Sequence, residues 1–350
     1  MRACLRGAPE AVPEDLVNHA AVLNREMRAT TARAIGIAAI LVAAMTAGAQ
    51  ERWPTKPIRF IHGFPPGGSV DITARLLAAQ MTEMLGQQVI VDGRPGAGGT
   101  MGAHIVAKSD PDGYTLFLMA SGHAMGPGLY RALPYDPVRD FSVISMAAAN
   151  PFVVLASPKS PAKTIQELVQ QAKAEPGRIA YGTGGTGTGM HLAAVLFQAR
   201  ANIQMNHVPY KGGTAGPTAL LAGEIPLLFT TAAGVTQHIE SGRLRALAVT
   251  TRKRFVLWPQ VPTIAETVLP EFDVLAWYAV AAPKNLPAPL TSRLNQTVHA
   301  ALKRPEVGEK LLALGAESRL TTPAEGQAFV AAEVERWTKV IRDEKIPPQN

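Results

Sequence analysis

Two periods organise the apolar positions of this chain. Short apolar runs at 58–64, 88–91 and 114–119 alternate with stretches at 70–85 and 101–108 in which apolar side chains recur every three or four positions. The clearest such stretch carries Val70, Ala74, Leu77, Met81 and Met84 on one stripe and meets Gly86 at its end, which predicts a helix buried on one side and stopped by glycine. Strand then helix, repeated, predicts a parallel sheet with helices on its faces. A loop is expected after 114–119. A second series begins at 152–156. Thr164 and Glu167 form a capping box for a helix to 174, and Pro176-Gly177 ends it. Strands are then predicted at 179–181, 225–229 and 244–250, with helices at 190–200 and 235–241.

The chain closes with an apolar extended stretch at 274–282 and helices near 291–302 and 324–343, the last with Thr322 as cap and Pro323 at its first position. So helical an end needs a sheet to cover. The economical arrangement makes 152–156 and 274–282 crossing strands, which returns the C-terminal segment to the first layer. About 300 residues follow position 50, more than one core of this kind ordinarily takes. The expected fold is therefore α/β and two-lobed: residues 50–154 with 276–350 form one lobe and 155–275 the other. Such lobes close around a ligand by a hinge.

Residues 1–49 stand apart from this pattern. Arg28 and Arg33 precede an uncharged apolar segment at 34–44, and Ala47-Gly48-Ala49 places small residues where a signal peptidase cuts. This predicts an export signal, with Met27 as the start of its usual n-region and a long n-region from Met1 as the alternative. The one cysteine, Cys4, falls inside that segment, so the exported chain has no disulfide and no thiol for a lipid anchor. The chain has 34 basic and 27 acidic side chains; residues 1–49 hold five and four of them, leaving 29 against 23, or +6. Only Arg252-Lys253-Arg254 is a tight basic cluster. That is no nucleic-acid footprint; it fits either mild attraction for anions and an acidic partner or a solvated surface without a role.

Two Gly-rich junctions carry the chemistry. Phe64-Pro65-Pro66-Gly67-Gly68-Ser69-Val70-Asp71 reads as strand exit, tight loop and first helical turn, with Ser69 as cap and Asp71 as partner of the helix dipole. Its free N–H groups point at one place and suit an anionic oxygen; a plain capped junction would look the same in isolation. Tyr181-Gly182-Thr183-Gly184-Gly185-Thr186-Gly187-Thr188-Gly189 contains a G-x-G-x-x-G spacing, yet no Asp or Glu occurs from Pro176 to Gly223 to hold a ribose, and no Gly-Lys-Ser/Thr follows. Dinucleotide and P-loop readings fail. What remains is a second amide nest, and two facing nests suit a small carboxylate. Ser121-Gly122-His123 is a candidate third ligand loop or an ordinary turn. Tyr210 and Lys211 are candidates for the cleft edge or a structural turn. Arg94-Pro95-Gly96-Ala97-Gly98-Gly99 reads as a tight loop without an acid nearby.

The order of these motifs, with Pro111-Asp112-Gly113-Tyr114, Leu133-Pro134-Tyr135-Asp136-Pro137, His207-Val208-Pro209-Tyr210-Lys211-Gly212 and Leu244–Thr250, resembles one family from about Trp53 to Ile346. The chain looks like a Bug-type extracytoplasmic solute receptor, the substrate-binding subunit of tripartite tricarboxylate transporters. The resemblance implies a type II periplasmic binding protein, periplasmic and monomeric, with a small carboxylate as ligand, integral membrane transporter subunits as partners, and no cofactor, metal or nucleic acid. It implies ligand contacts at Gly68, Ser69, Thr183, Gly185, Thr186 and Thr188, partly through water; Phe64, Pro66 and Gly67 share the first loop, while Ser121, His123 and Thr230 complete the expected set. It also implies a bracing role for His191. Relatives often carry an acid or amide after the 225–229 strand, where this chain has Thr230-Thr231-Ala232-Ala233. A ligand without a free amine is expected, unless Thr230 faces the sheet and Glu224 meets a cation. The rival function is an exported α/β enzyme, but no G-x-S-x-G, H-E-x-x-H or cysteine nucleophile is present. A receptor feeding a membrane sensor has the same sequence signature.

Overall fold

Strand β1 (Ile58–His62) pairs in parallel with β2 (Val89–Gly93) on one side and β3 (Thr115–Ala120) on the other. The computed structural model describes residues 53–212 and 214–348; the export signal read at 1–49 lies outside them. Helix α1 (Ser69–Leu85) follows β1 and ends at Gly86 in the left-handed conformation, and α2 (Thr100–Ala107) follows β2. The stripe expected on α1 is the buried one, with Ala74, Leu77 and Met81 fully covered.

After β3 the chain forms α3 (Gly122–Leu129) rather than a loop. Its sequence, rich in Gly and Pro, argues against a helix, but close packing decides: a Cβ on Gly128 would overlap the Ile341 side chain of the C-terminal helix. Strand β4 (Phe141–Ala156) is one sixteen-residue strand, of which sequence reading takes only the last five residues, 152–156. Its first part pairs antiparallel with β9 (Leu275–Pro283); from Phe152 it pairs with β7 (Leu227–Thr231) and β8 (Arg245–Val249). Asn150-Pro151 looks like a break because proline cannot serve a ladder. Pro151 in fact sits where β4 exchanges one set of partners for the other, so no interior bond is lost.

The second βα series comprises α4 (Ile165–Ala174), β5 (Ala180–Thr183), α5 (Gly189–Ala201), β6 (Asn206–Pro209), α6 (Ala215–Ala222), β7, α7 (Thr236–Glu240), β8 and α8 (Ile264–Thr267). Strand β5 pairs in parallel with both β6 and β7. The strand order is β2-β1-β3-β9-β4-β7-β5-β6, with β8 and the short β10 (Glu317–Ser318) also on β4. Sequence reading misses α6, α8 and α10 (Pro305–Ala313), all short. It finds α9 (Ala288–Leu302) three residues late and α11 (Pro323–Asp343) within one residue, with Thr322 and Glu325 forming a full capping box. Helix α11 covers the sheet as anticipated: Glu333 accepts from the indole N–H of Trp277 on β9 and of Trp337 on its own helix, at 3.0 and 3.3 Å.

The three segments between the two series are tied at Thr250. Its N–H donates to Phe152 O, its Oγ1 accepts from Phe152 N–H at 3.0 Å and donates to Val274 O at 2.7 Å, and its carbonyl accepts from Val274 N–H. Arg94 does have an acid nearby, contrary to the sequence reading: Asp92 pairs with both Arg94 and Arg59 at 2.9 Å. Of the basic cluster, Arg252 and Arg254 are paired with Glu271 and Glu266.

Candidate functional site

The first Gly-rich loop is braced from beneath. Asp71, buried in the first turn of α1, accepts from Gly67 N–H and from Arg75, each at 3.0 Å, and from His62 Nε2 at 3.2 Å. Burial pushes the Asp71 carboxyl up, but Arg75, the Gly67 N–H and His62 together hold it below its ordinary value. Burial lowers His62 more than Asp71 raises it. His62 is therefore neutral, donating from Nε2 and accepting Phe64 N–H at Nδ1. Helix α1 begins one residue earlier than expected: Gly68 is the N-cap and Ser69 the first helical residue, with no side-chain cap bond. The glycine the turn requires is Gly67, at φ 79°; Gly68, at φ −84°, is in a conformation any residue adopts.

The freed Ser69 hydroxyl has a different task. It accepts from Tyr278 Oη at 2.9 Å and from Thr231 Oγ1 at 3.4 Å. A hydroxyl oxygen has two acceptor positions and one hydrogen. With both acceptor positions filled, the Ser69 hydrogen is the group left to offer a ligand. Burial pushes the Tyr278 phenol up to about 12, against the opposing pull of its bond to Ser69, so it remains a donor at physiological pH. Thr231 lies on β7, Tyr278 on β9 and Ser69 on α1, so this cluster links both strand series across the cleft.

In the second loop the hydroxyls of Thr183 and Thr188 are spent internally. Thr183 Oγ1 bonds His207 Nε2 at 2.7 Å and accepts Gly185 N–H, while Thr188 Oγ1 donates to Gly185 O at 2.8 Å and accepts His191 N–H as the N-cap of α5. His191 Nδ1 accepts Gly187 N–H at 3.4 Å, and its ring stacks on His207 with centroids 4.3 Å apart. Burial lowers both imidazoles to about 4, for His191 with the neighbouring His207 adding to the effect. The expected bracing role of His191 is what the geometry provides. The groups left over are the first-turn N–H groups of α5, which have no intrahelical acceptor.

Between the loops lies a cavity of about 290 Å³. Four helices present their N-termini to it: α1 through Gly68, Ser69 and Val70, α3 through Ser121 and Gly122, α5 through Thr188, Gly189 and Met190, and α6 through Thr214, Gly216 and Pro217. Phe64, Thr183 and Thr230 also line it. Among the described residues no carboxylate, ammonium, guanidinium or imidazole contributes to its wall. Positive potential inside it therefore comes from peptide dipoles.

Other expected residues lie elsewhere. Pro66 is exposed and does not line the cavity; Gly185 and Thr186 line a neighbouring cleft that also includes Phe64, Gly98, Tyr210 and Lys211. There the Gly98 and Gly187 backbones touch, as expected for glycines that permit packing: a Cβ on Gly98 would lie 2.7 Å from Gly187 O. His123 turns away from the cavity. Its ring stacks on Tyr135, meets Phe141 edge-on at 4.9 Å, and its Nε2 donates to Pro137 O at 2.9 Å. Burial lowers its pKa to about 4. Thr230 is 8 % exposed and faces the cavity, whereas Glu224 is on the outer surface. Sequence reasoning missed Tyr278 and Thr231. The available signal was the lone tyrosine in an apolar run, two residues from Ala276 and so on the same face of β9.

Comparison with known proteins agrees with this geometry. Residues 73–346 match the model of the tripartite tricarboxylate transporter family receptor. The chain is 39 % identical to protein BugT of Bordetella pertussis over 295 residues, covering 84 % of this chain and 90 % of that one. Among solved structures, Rpa4515 of R. palustris with adipate superposes with a TM-score of 0.80 at 34 % identity, covering 85 % of this chain and all of that one. MatC from Rhodopseudomonas palustris with bound malate superposes at 0.77 and 29 % identity, covering 83 % and 100 %. The fold is that of the type II periplasmic binding proteins, and the chain belongs to the receptor family of the tripartite tricarboxylate transporters.

Proposed function

We propose that this protein is a periplasmic receptor that captures a small carboxylate in the cavity between α1, α3, α5 and α6 and hands it to integral membrane subunits of a transporter. The observation that carries this reading is the convergence of four helix N-termini on a cavity without charged side chains. First-turn N–H groups stabilise an anion there with no counter-ion to expel. Ser69 and the loops around Gly68, Thr188 and Gly189 are the proposed carboxylate contacts, with Ser121 and Gly122 completing them. Phe64, Gly67, Thr183 and Thr230 shape the remainder; Gly185 and Thr186 act through the loop rather than by touching the ligand. Adipate and malate in two relatives of the same fold support a carboxylate. Residues 50–154 with 276–350, and 155–275, act as the two lobes, hinged near Thr250.

Thr230 supports a ligand without a free amine, because a hydroxyl brings no charge to offset desolvation of an ammonium. Calorimetry with succinate, glutarate, malate and adipate against aspartate and glutamate tests both parts. A carboxylate hit at a hundredfold its Kd should add ~2.7 kcal/mol of stability and contract the particle in small-angle scattering. No binding by any carboxylate would overturn the receptor reading; tighter binding of the amino acids would overturn only the inference from Thr230.

A further inference from the structure

The part of the lining formed by α6 and β7 is made differently from the Ser69 cluster. Helix α6 arrives with Gly216 and Pro217 in its first turn, and proline has no N–H to give. A Cβ on Gly216 would meet the Leu228 side chain at 2.9 Å, so α6 lies directly against that leucine. The Met190 side chain, also in the lining, lies over Gly184, whose added Cβ would stand 2.9 Å from the Met190 methyl. Ile72, in the first turn of α1 with Ser69, and Phe152, the ladder partner of Thr231, add apolar lining beside the Ser69 cluster itself. The hydroxyl groups left on the α6 and β7 side belong to Thr214 and Thr230.

From this contrast we infer that the ligand carries a single carboxylate on an apolar body of ring or short-chain size, with the body lodged against Met190, Pro217 and Leu228. The inference rests on the receptor reading above and narrows its substrate class. A first carboxylate finds the first-turn N–H groups of α1, α3 and α5 and the Ser69 hydrogen. A second one, at the far end of a diacid, meets methylene, thioether and pyrrolidine carbon, no cation in the lining, and at α6 a terminus that Pro217 leaves one N–H short of the other three. An apolar end gains by leaving water in the same place. The adipate seen in a relative is the natural competitor, being a chain of suitable length with a charge at each end.

The test is calorimetry of the exported chain against three matched pairs: hexanoate with adipate, cyclohexanecarboxylate with its 1,4-diacid, and benzoate with terephthalate. Averaged over the pairs, the monoacid is expected to bind at least about tenfold more tightly, a difference of ~1.4 kcal/mol. Equal or tighter binding of the diacids overturns this inference and leaves a carboxylate receptor intact. Absence of binding by all six, with the protein folded by circular dichroism, overturns both. Met190→Lys places an ammonium in the apolar wall. It is expected to shift the ratio toward the diacids by about tenfold or more, and an unchanged ratio in the folded variant removes Met190 from the distal wall.

Discussion

Gly189→Ala tests the lobe closure proposed above. Gly189 is the first residue of α5 and contributes to the cavity wall. A Cβ there would stand 2.7 Å from Phe152 Cζ and 2.8 Å from Ser121 Oγ. Its φ is negative, since Gly189 is absent from the positive-φ positions, so alanine brings no backbone strain. In a helix, alanine is better than glycine by roughly 0.5–1 kcal/mol, a gain that belongs to open and closed forms alike. The collision with Ser121 belongs to the proposed closed form alone, because Ser121 follows β3 of the first series, whereas Phe152 pairs with β7 of the second series and meets Gly189 in both forms. Inserting a methyl into a packed contact costs about 1–3 kcal/mol. A penalty confined to one of two states reduces affinity by that amount, hence roughly 5- to 150-fold. Calorimetry should show the loss of affinity, while the melting temperature without ligand changes only by the balance between the helix gain and the Phe152 contact, a cost of about 1–3 kcal/mol. Gly308→Ala in α10, where a Cβ meets nothing within 4 Å, is the control and should leave affinity unchanged. Wild-type affinity in Gly189→Ala would refute the closed-state contact.

Thr250→Val keeps the shape of the side chain but leaves Phe152 N–H without its Oγ1 partner and removes the side-chain bond to Val274 O, while the main-chain bond from Val274 N–H stays. A destabilisation of about 1–3 kcal/mol is expected in urea unfolding, with a wider spread of particle sizes in scattering; unchanged values for both would remove Thr250 from the hinge. The buried His123 should make stability fall in acid. Its folded pKa is about 4 against 6.5 for the free side chain, so it contributes nothing pH-dependent above about 6.5, and the unfolded chain takes up a proton that the folded one refuses as pH drops toward 4. At pH 5 the loss from His123 alone is roughly 2 kcal/mol, and His62, His191 and His207 act in the same direction. A denaturation midpoint equal at pH 7.5 and pH 5 would contradict this.

The long elements were legible because their signals are local. Thr322, Pro323 and Glu325 mark the start of α11 within a residue, and the stripe from Val70 to Leu85 marks α1. What escaped is decided by contacts between distant segments. Nothing local in Gly122–Leu129 argues for helix; its burial beneath Ile341 does. Pro151 breaks the sequence pattern of β4 and not the strand, because it falls at the exchange of partners. The two Gly-rich junctions were found, and the roles within them were not. Ser69 looks like a cap because serine before Val-Asp is one in most chains, whereas Tyr278, more than two hundred positions away, claims its oxygen. His123 follows two lining residues, Ser121 and Gly122, but its place on the helix turns its ring into the space between Tyr135 and Phe141.

That Thr183 and Thr188 bond to Gly185 and not outward bears on how this fold changes ligands. The proposed anion contacts of α1, α3 and α5 are main-chain N–H groups, which a side-chain substitution cannot delete unless it introduces proline. A carboxylate end built this way persists through wide divergence at the positions around it. Selectivity then has to reside in the side chains of the remaining wall, at 190, 217, 228 and 230. Position 217 is where this chain uses the one substitution that does remove an N–H: Pro217 blunts the N-terminus of α6 toward anions while its ring adds to the apolar surface beside Leu228. Restoring the N–H with Pro217→Ala should therefore improve diacid binding relative to monoacid, and by less than Met190→Lys does, since a peptide dipole supplies only part of a charge.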